Sequence, residues 1–158
     1  MPDVLSPESQ TFWLHLGTAM LCGGLIGVER QIRGKVAGVR TSILICVGTS
    51  IFVSLGATVA PERADPTRVL GQVVTGIGFL GAGVILAREG KILGVTTAAV
   101  IWCLASIGCL IGMGYLAGAL VITAAALSVL LGVEAVENFV ERRKGHRISR
   151  ELEGINVE

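Results

Sequence analysis

Long apolar runs alternate along this chain with short clusters of charged residues. At a rise of about 1.5 Å per residue, an apolar run of about 20 residues forms a helix that crosses a hydrocarbon core of roughly 30 Å. The stretch 92–133 carries no charge and is too long for one crossing, so it predicts two helices with a turn at residues 112–114. The pattern predicts five membrane-spanning helices, at about residues 12–28, 41–60, 69–87, 95–111 and 115–133.

Small residues form one face of the third predicted helix. At about 100° per residue they make a narrow stripe opposite larger apolar side chains. The stripe consists of Gly71, Thr75, Gly78 and Ala82. Because helices in lipid associate where small residues allow close approach, we expect this face to press against other helices and the third helix to be the hub of a compact bundle. The alternative is that its glycines allow a helix break or the approach of a substrate. Gly23 and Gly27 predict a similar packing face on the first helix.

Composition places the chain among integral membrane proteins. Of its 158 residues, 52% are hydrophobic and only 16% are charged, which is unlike a soluble domain. The net charge of +1 comes from clusters in several loops, so no single basic patch predicts nucleic-acid binding. The four cysteines lie inside apolar runs at spacings that match neither a metal site nor a disulfide framework, and we expect them to be small buried hydrophobes.

The segments outside the predicted helices set the orientation. Residues 1–11 lack a basic start, so we expect a retained extracytoplasmic tail rather than a signal peptide. Residues 134–158 begin with an amphipathic pattern that predicts a cytoplasmic tail on the membrane surface. Of the thirteen Lys and Arg residues, only Arg63 and Arg68 fall on the side of the membrane where the five-span arrangement places the N-terminus. The distribution predicts an outside N-terminus and a cytoplasmic C-terminus.

Charged side chains are absent from the five predicted spans. Ion pathways usually carry such groups at depth, and magnesium prefers carboxylate and water oxygens, so a dedicated magnesium channel is weakly supported. The carboxylates nearest the membrane are Glu29, Glu89, Glu134 and Glu137. No nucleophile pairs with a base and no phosphate-binding loop is found, so we expect neither an enzyme nor a bound cofactor, and the metal question stays open.

Glu29, Arg30 and Arg40 form the most concentrated charged group beside the spans. The simpler interpretation is an ion-pair cluster that fixes how the first two helices enter the membrane. The functional interpretation is a recognition patch for a partner or an ion. A folded but inactive Glu29→Gln variant would favour the second interpretation.

Several other polar residues are explained by local structure. Asp65 can cap the third helix with Pro66 as its first residue, and Thr96 and Thr97 can cap the fourth. Trp102 lies deep in the fourth span, where core packing is favoured over ligand contact. His15 near the outer end of the first span is interpreted as an interfacial polar residue, with proton sensing as the alternative.

Three ordered motifs resemble the MgtC/SapB family. They read GGLIGVERQIRGKVAGVRT at residues 23–41, DPTRVLGQVVTGIGFLGAGVIL at 65–86 and GVTTAAVIW at 94–102. The resemblance covers residues 15–133. It implies a multi-pass bacterial inner-membrane protein with about five spans, linked to growth in low magnesium and, in some members, to intracellular survival.

The resemblance also marks candidate functional residues. The family's motif positions are occupied by Glu29, Arg30, Gly38, Arg40, Thr41, Asp65, Arg68, Gly76, Gly78, Phe79, Gly81, Gly83, Thr96, Thr97 and Trp102. Three positions depart from the family pattern. Ser42 stands where many members have His, and Val39 and Val95 stand where Leu is usual, so a role for that His is not carried over.

The resemblance and the composition together favour a non-enzymatic regulator of ion or energy homeostasis. For some family members the resemblance implies restraint of the rotary ATP synthase, which makes that complex an expected partner beside the lipid bilayer and a homo-oligomer. The alternative is a magnesium transporter or channel, with a polar path ending at Glu29 or Glu134. Some members carry a further cytoplasmic domain, and we do not expect functions of that domain in these 158 residues.

Overall fold

A computed structural model describes residues 2–59, 66–88 and 91–133. Within them the chain is helical apart from one short hairpin, which confirms the predicted all-α membrane architecture. A 3-10 turn at Pro2–Leu5 precedes the first helix. The elements that follow are α1 (Gln10–Ile32), α2 (Val39–Val59), α3 (Pro66–Gly83), β1 (Leu86–Arg88), β2 (Lys91–Leu93), α4 (Val95–Gly112) and α5 (Leu116–Val133).

Four of these helices, α1, α2, α4 and α5, are long and apolar enough to cross a membrane. The remaining helix, α3, is 18 residues long and includes Arg68 and Gln72, which lower its hydropathy. The predicted orientation of the termini stays a prediction. The tail at 134–158 lies outside the described residues.

The helix ends follow local capping rules. The Ser9 hydroxyl accepts a hydrogen bond from the Thr11 amide at 3.1 Å and caps α1. The turn predicted between the fourth and fifth spans is confirmed, since α4 ends at Gly112 and Gly114 adopts a left-handed φ of 87°. The predicted start of α3 at Pro66 is also confirmed, whereas its proposed cap, Asp65, lies outside the described residues.

The third helix is not the hub, so that prediction was wrong. The central helix is α2, which packs against α1, α3 and α4, while α4 also contacts α1 and α3. The small-residue stripe of α3 faces away from these neighbours: Gly71 and Thr75 are exposed, and a Cβ added at Gly71 or Gly78 would meet nothing within 4 Å. The buried residues of α3 are instead Ile77 and Gly81.

Small residues make close helix contacts elsewhere, among them the crossing of α2 and α4. A Cβ added at Gly108 would lie 2.7 Å from the Cys46 carbonyl oxygen, and one at Gly112 would lie 2.6 Å from that of Ser50. The Ser54 hydroxyl donates to the Gly112 carbonyl at 3.1 Å across the same crossing. Close backbone approach and interhelical hydrogen bonds therefore hold α2 against α4.

The end of the third predicted span was placed wrongly. Residues 84–87 were expected to be helical, but α3 ends at Gly83, and Leu86–Arg88 pairs with Lys91–Leu93 as an antiparallel hairpin. Gly94, which connects β2 to α4, has φ of 90°, and a Cβ there would lie 2.0 Å from the Val84 carbonyl oxygen. Glycine is required at this position because both the dihedral angle and the space exclude a side chain.

The chain divides into two units, Met1–Ala124 and Ala125–Glu158. The first unit contains α1 to α4 and the start of α5, where Ala119 and Thr123 are fully or almost fully buried. In the second unit the structure describes residues 125–133, the last part of α5.

Candidate functional site

The close contact between α1 and α2 positions the charged end of α1. A Cβ added at Gly23 would lie 2.7 Å from the Ser42 carbonyl oxygen, and one at Gly27 would lie 2.6 Å from the Val39 Cα. The predicted packing face of the first helix is thereby confirmed. Arg30 lies one turn beyond Gly27 on nearly the same side of α1, so the first turn of α2 lies near the charged residues.

Glu29, Arg30 and Arg33 form an ion-pair cluster in the last turns of α1. One Glu29 carboxylate oxygen lies 3.5 Å from Arg30 Nη1, and the other pairs with Arg33 Nε. Glu29 and Arg30 are buried, with only 3% of Arg30 exposed. One carboxylate faces two guanidinium groups, which leaves the cluster with a net charge of +1. Removing one partner from such a buried group is costly because the remaining charge loses its compensation.

Unpaired polar atoms surround this cluster. Arg30 Nε and Nη2 and the Ser42 hydroxyl are buried without a hydrogen-bond partner in the described structure. Loop 1, residues 33–38, is tied to the end of α1 by the Lys35 amide, which donates to the Arg30 carbonyl at 3.0 Å. The Val39 amide donates to Gln31 Oε1 at 3.3 Å. These bonds tie loop 1 and the first residue of α2 to the end of α1.

Arg40 is not a member of the cluster, contrary to the sequence prediction. Its side chain is exposed, and the second cation beside Glu29 is Arg33. Val39 occupies the position against α1, so Arg40 is turned by about 100° around α2. Arg33 was not predicted as a member of this cluster, although its spacing of four residues from Glu29 is the spacing at which helical ion pairs form.

The α3 candidates do not gather at the cluster. Gly76 and Phe79 are exposed, with 80% of the Phe79 side chain accessible. Gly81 packs against α4, where its added Cβ would meet Ala98 and Trp102 at 3.7 Å. Gly78 is half-buried and Gly83 is the last residue of α3. These motif residues therefore serve different faces of one helix.

The fourth-helix candidates are partly structural. Gly94 is the N-cap of α4 and provides no side-chain hydrogen bond, so the prediction that Thr96 and Thr97 cap this helix was wrong. Both threonines lie in its first turn, Thr96 exposed and Thr97 buried. Trp102 is 45% exposed, and its ring lies 3.7 Å from where a Cβ at Gly81 would be. It therefore packs at the α3–α4 contact rather than deep in the core.

Two further predictions concern buried groups near the bundle core. His15 is largely buried, and its Nδ1 has no partner in the described structure; its position at the membrane interface stays a prediction. All four cysteines are free: Cys22 and Cys46 are buried, and Cys103 and Cys109 are partly so. The Cys46 thiol donates to the Leu104 carbonyl at 3.3 Å. The cysteines thus act as packing residues.

An apolar groove between α2 and α3 was not predicted from the sequence. Its volume is about 770 Å³. From α2 it is lined by residues that include Thr41, Gly48 and Phe52, and from α3 by residues that include Gln72 and Gly76. Among the described residues, no group of three or more His, Cys, Asp or Glu side chains is placed to hold a metal ion.

Comparisons with known proteins agree with the sequence motifs. The model of the MgtC family matches residues 16–139. Protein MgtC of Salmonella typhimurium (strain LT2) is 46% identical over 110 residues, which are 70% of this chain and 47% of that protein. Protein MgtC of Brucella abortus (strain 2308) is 46% identical over 114 residues, 72% of this chain and 48% of that protein. The chain thus spans about half the length of these curated relatives. No solved structure matches it.

Proposed function

Because the chain belongs to the MgtC family, we propose that it is a non-enzymatic regulator in the bacterial inner membrane, linked to magnesium and energy homeostasis. It acts through helix–helix contacts with membrane partners. A second copy of the chain and the rotary ATP synthase are the partners that the family resemblance suggests. The four apolar helices support the multi-pass membrane location.

The observation that supports the proposal is the uncovered small-residue face of α3. Where this chain packs its own helices, glycines bring backbones together, as Gly27 of α1 and Gly108 of α4 both do against α2. The face of α3 around Gly71 and Gly78 has the same residue types, but an added Cβ at either glycine meets nothing within 4 Å. In lipid such a face binds another helix by close approach. A membrane-protein partner of that kind fits a regulator.

A transporter remains the alternative function. It needs a polar route to the carboxylate that would receive a hydrated cation. In the described structure the Glu29 carboxylate is engaged by Arg30 and Arg33, and the groove between α2 and α3 is mainly apolar. These two observations favour the regulator. Glu134, the alternative endpoint to Glu29 for such a route, lies outside the described residues.

Magnesium flux into sealed liposomes containing the purified protein, with an imposed membrane potential, tests the two functions. The regulator predicts no flux above protein-free liposomes, from protein shown by circular dichroism to be folded. Flux above that of protein-free liposomes would contradict the proposal, and loss of this flux in a Glu29→Ala variant shown to be folded would place Glu29 on the transport route.

Partner binding is tested separately by cross-linking in bacterial membranes. Gly78→Leu places a bulky side chain on the uncovered face, at a position where an added Cβ meets nothing within 4 Å, so we expect it to abolish cross-linked partner bands and growth regulation in low magnesium. Gly17→Leu is the matched control, since Gly17 is an exposed glycine on α1 with equal free space. Unchanged cross-linking in Gly78→Leu would contradict the proposed role of α3.

A further inference from the structure

The groove between α2 and α3 has the length of one membrane leaflet. It is lined on α2 from Thr41 to Phe52 and on α3 from Val69 to Leu80. Eleven residue steps at 1.5 Å give about 17 Å along each helix, against about 15 Å for half of the hydrocarbon core. A transmembrane helix from another chain would need twice that length. The dimensions therefore fit an acyl chain that enters from one side of the membrane.

Exposed arginines lie beside both ends of the groove: Arg40 precedes the lining residue Thr41, and Arg68 precedes the lining residue Val69. The structure describes the chain that leads into the helix at the Arg40 end, whereas residues 60–65 before α3 lie outside the described residues. The Ser42 amide is the first in α2 to bond within the chain's own turn, to Gly38 at 3.0 Å, so the Arg40 and Thr41 amides have no intrahelical acceptor. A cationic side chain and free amides at a helix N-terminus favour a phosphate group.

We infer that the groove binds one anionic phospholipid. One acyl chain lies between α2 and α3, and the phosphate lies at Arg40 and the first turn of α2. A groove of about 770 Å³ lined mainly by apolar side chains does not hold ordered water well, because water needs two to four polar partners. The charge at Arg40 selects an anionic headgroup over a zwitterionic one. Neither statement depends on whether the protein regulates or transports.

Native mass spectrometry of the full chain tests the inference, with phosphatidylglycerol or phosphatidylcholine of equal acyl length added to detergent-purified protein. We expect one retained phosphatidylglycerol per chain, about fivefold more than phosphatidylcholine, since one cation near an anionic lipid surface is worth about 1 kcal/mol. Arg40→Gln should reduce this preference to about onefold while retention of either lipid persists. Lys35→Gln, which removes another exposed cation from loop 1, should leave the preference unchanged.

Filling the groove is the second arm of the test. Gly76 lines the groove and a Cβ added there meets nothing within 4 Å, so Gly76→Leu extends a side chain into the groove and should abolish lipid retention, with circular dichroism as the check that the variant is folded. Gly78→Leu adds the same side chain on the other side of α3 and should retain the lipid. Equal retention of both lipids by the unaltered chain, or undiminished retention in Gly76→Leu, overturns the inference. A lipid-free dimer that Gly76→Leu separates also overturns it, because the groove would then be an interface between copies.

Discussion

The contact of Gly27 with α2 predicts a large effect from a single methyl group. In Gly27→Ala the added Cβ would lie 2.6 Å from the Val39 Cα and 3.0 Å from the Ser42 Cβ. Carbon atoms pack at about 3.5 to 4.0 Å, so α1 and α2 must separate locally by about 1 Å. The nearest atom belongs to backbone and not to a flexible side chain. The whole helix must therefore move, and the neighbouring contact at Gly23 is weakened with it.

The magnitude follows from a comparison with a glycine that has free space. Overpacking a helix contact costs about 1 to 3 kcal/mol, whereas replacing an interior helical glycine by alanine gains up to about 1 kcal/mol from propensity. In Gly17→Ala, on the same helix, the added Cβ meets nothing within 4 Å. This variant therefore has the gain in helix propensity without the cost of overpacking. Because both variants share the propensity gain, the difference between their unfolding free energies isolates the contact, at about 1 to 3 kcal/mol.

Unfolding in mixed micelles of a mild detergent and dodecyl sulfate measures this difference, with tryptophan fluorescence as the signal. Trp13 on α1 and Trp102 on α4 report on two different helices. We expect Gly27→Ala to unfold at a lower dodecyl sulfate fraction than the unaltered chain and Gly17→Ala at an equal or higher one. Equal unfolding free energies for the two variants would refute the close contact between α1 and α2.

Two further substitutions test other parts of the structure by the same unfolding assay. Glu29→Gln leaves Arg30 buried without its carboxylate partner and should destabilise the protein by about 3 kcal/mol. The control Glu8→Gln, at an exposed position, should change the unfolding free energy little. Equal unfolding free energies for the two variants would show that the Glu29 carboxylate does not stabilise the buried charge of Arg30. Gly94→Ala should be more destabilising than Gly34→Ala, because both glycines have positive φ but only Gly94 also lacks space for a Cβ. An equal loss of unfolding free energy in the two variants would mean that the positive φ, and not the lack of space, sets the cost.

The sequence predicted the number of helices well because that prediction depends on length and hydropathy, which are local properties. The hub was predicted wrongly because periodicity groups residues into faces but does not say which face meets a neighbour. From Val69 to Gly83 both faces of α3 lack charge, so either could be buried. The structure buries Ile77 and Gly81 and leaves Gly71 exposed. The packing glycines of α4, Gly108 and Gly112, supply contacts that the sequence analysis had assigned to α3.

The candidate site was predicted in part for a similar reason. Glu29 and Arg30 are adjacent in sequence, and their pairing needs no knowledge of the fold. Excluding Arg40 requires knowing that Gly27 meets Val39, since that contact fixes the rotation of α2. The groove depends on the separation of α2 and α3 along their length, which no local pattern encodes. Gly76 was named from the sequence as a family motif position, and its place in the groove became visible only in the structure.

The groove at Gly76 and the small-residue face at Gly78 are two open surfaces of α3 that can be tested separately. Gly76 lines the groove, and Gly78 lies about 200° further around the helix, so a lipid and a partner helix can be bound at the same time. A leucine at Gly76 should remove the lipid and leave partner cross-linking intact, whereas a leucine at Gly78 should do the reverse. If both variants lost both activities, α3 itself would be disturbed, and the free space on its two sides would no longer explain why it carries so many glycines. Opposite losses in the two variants would instead assign each glycine to its own surface.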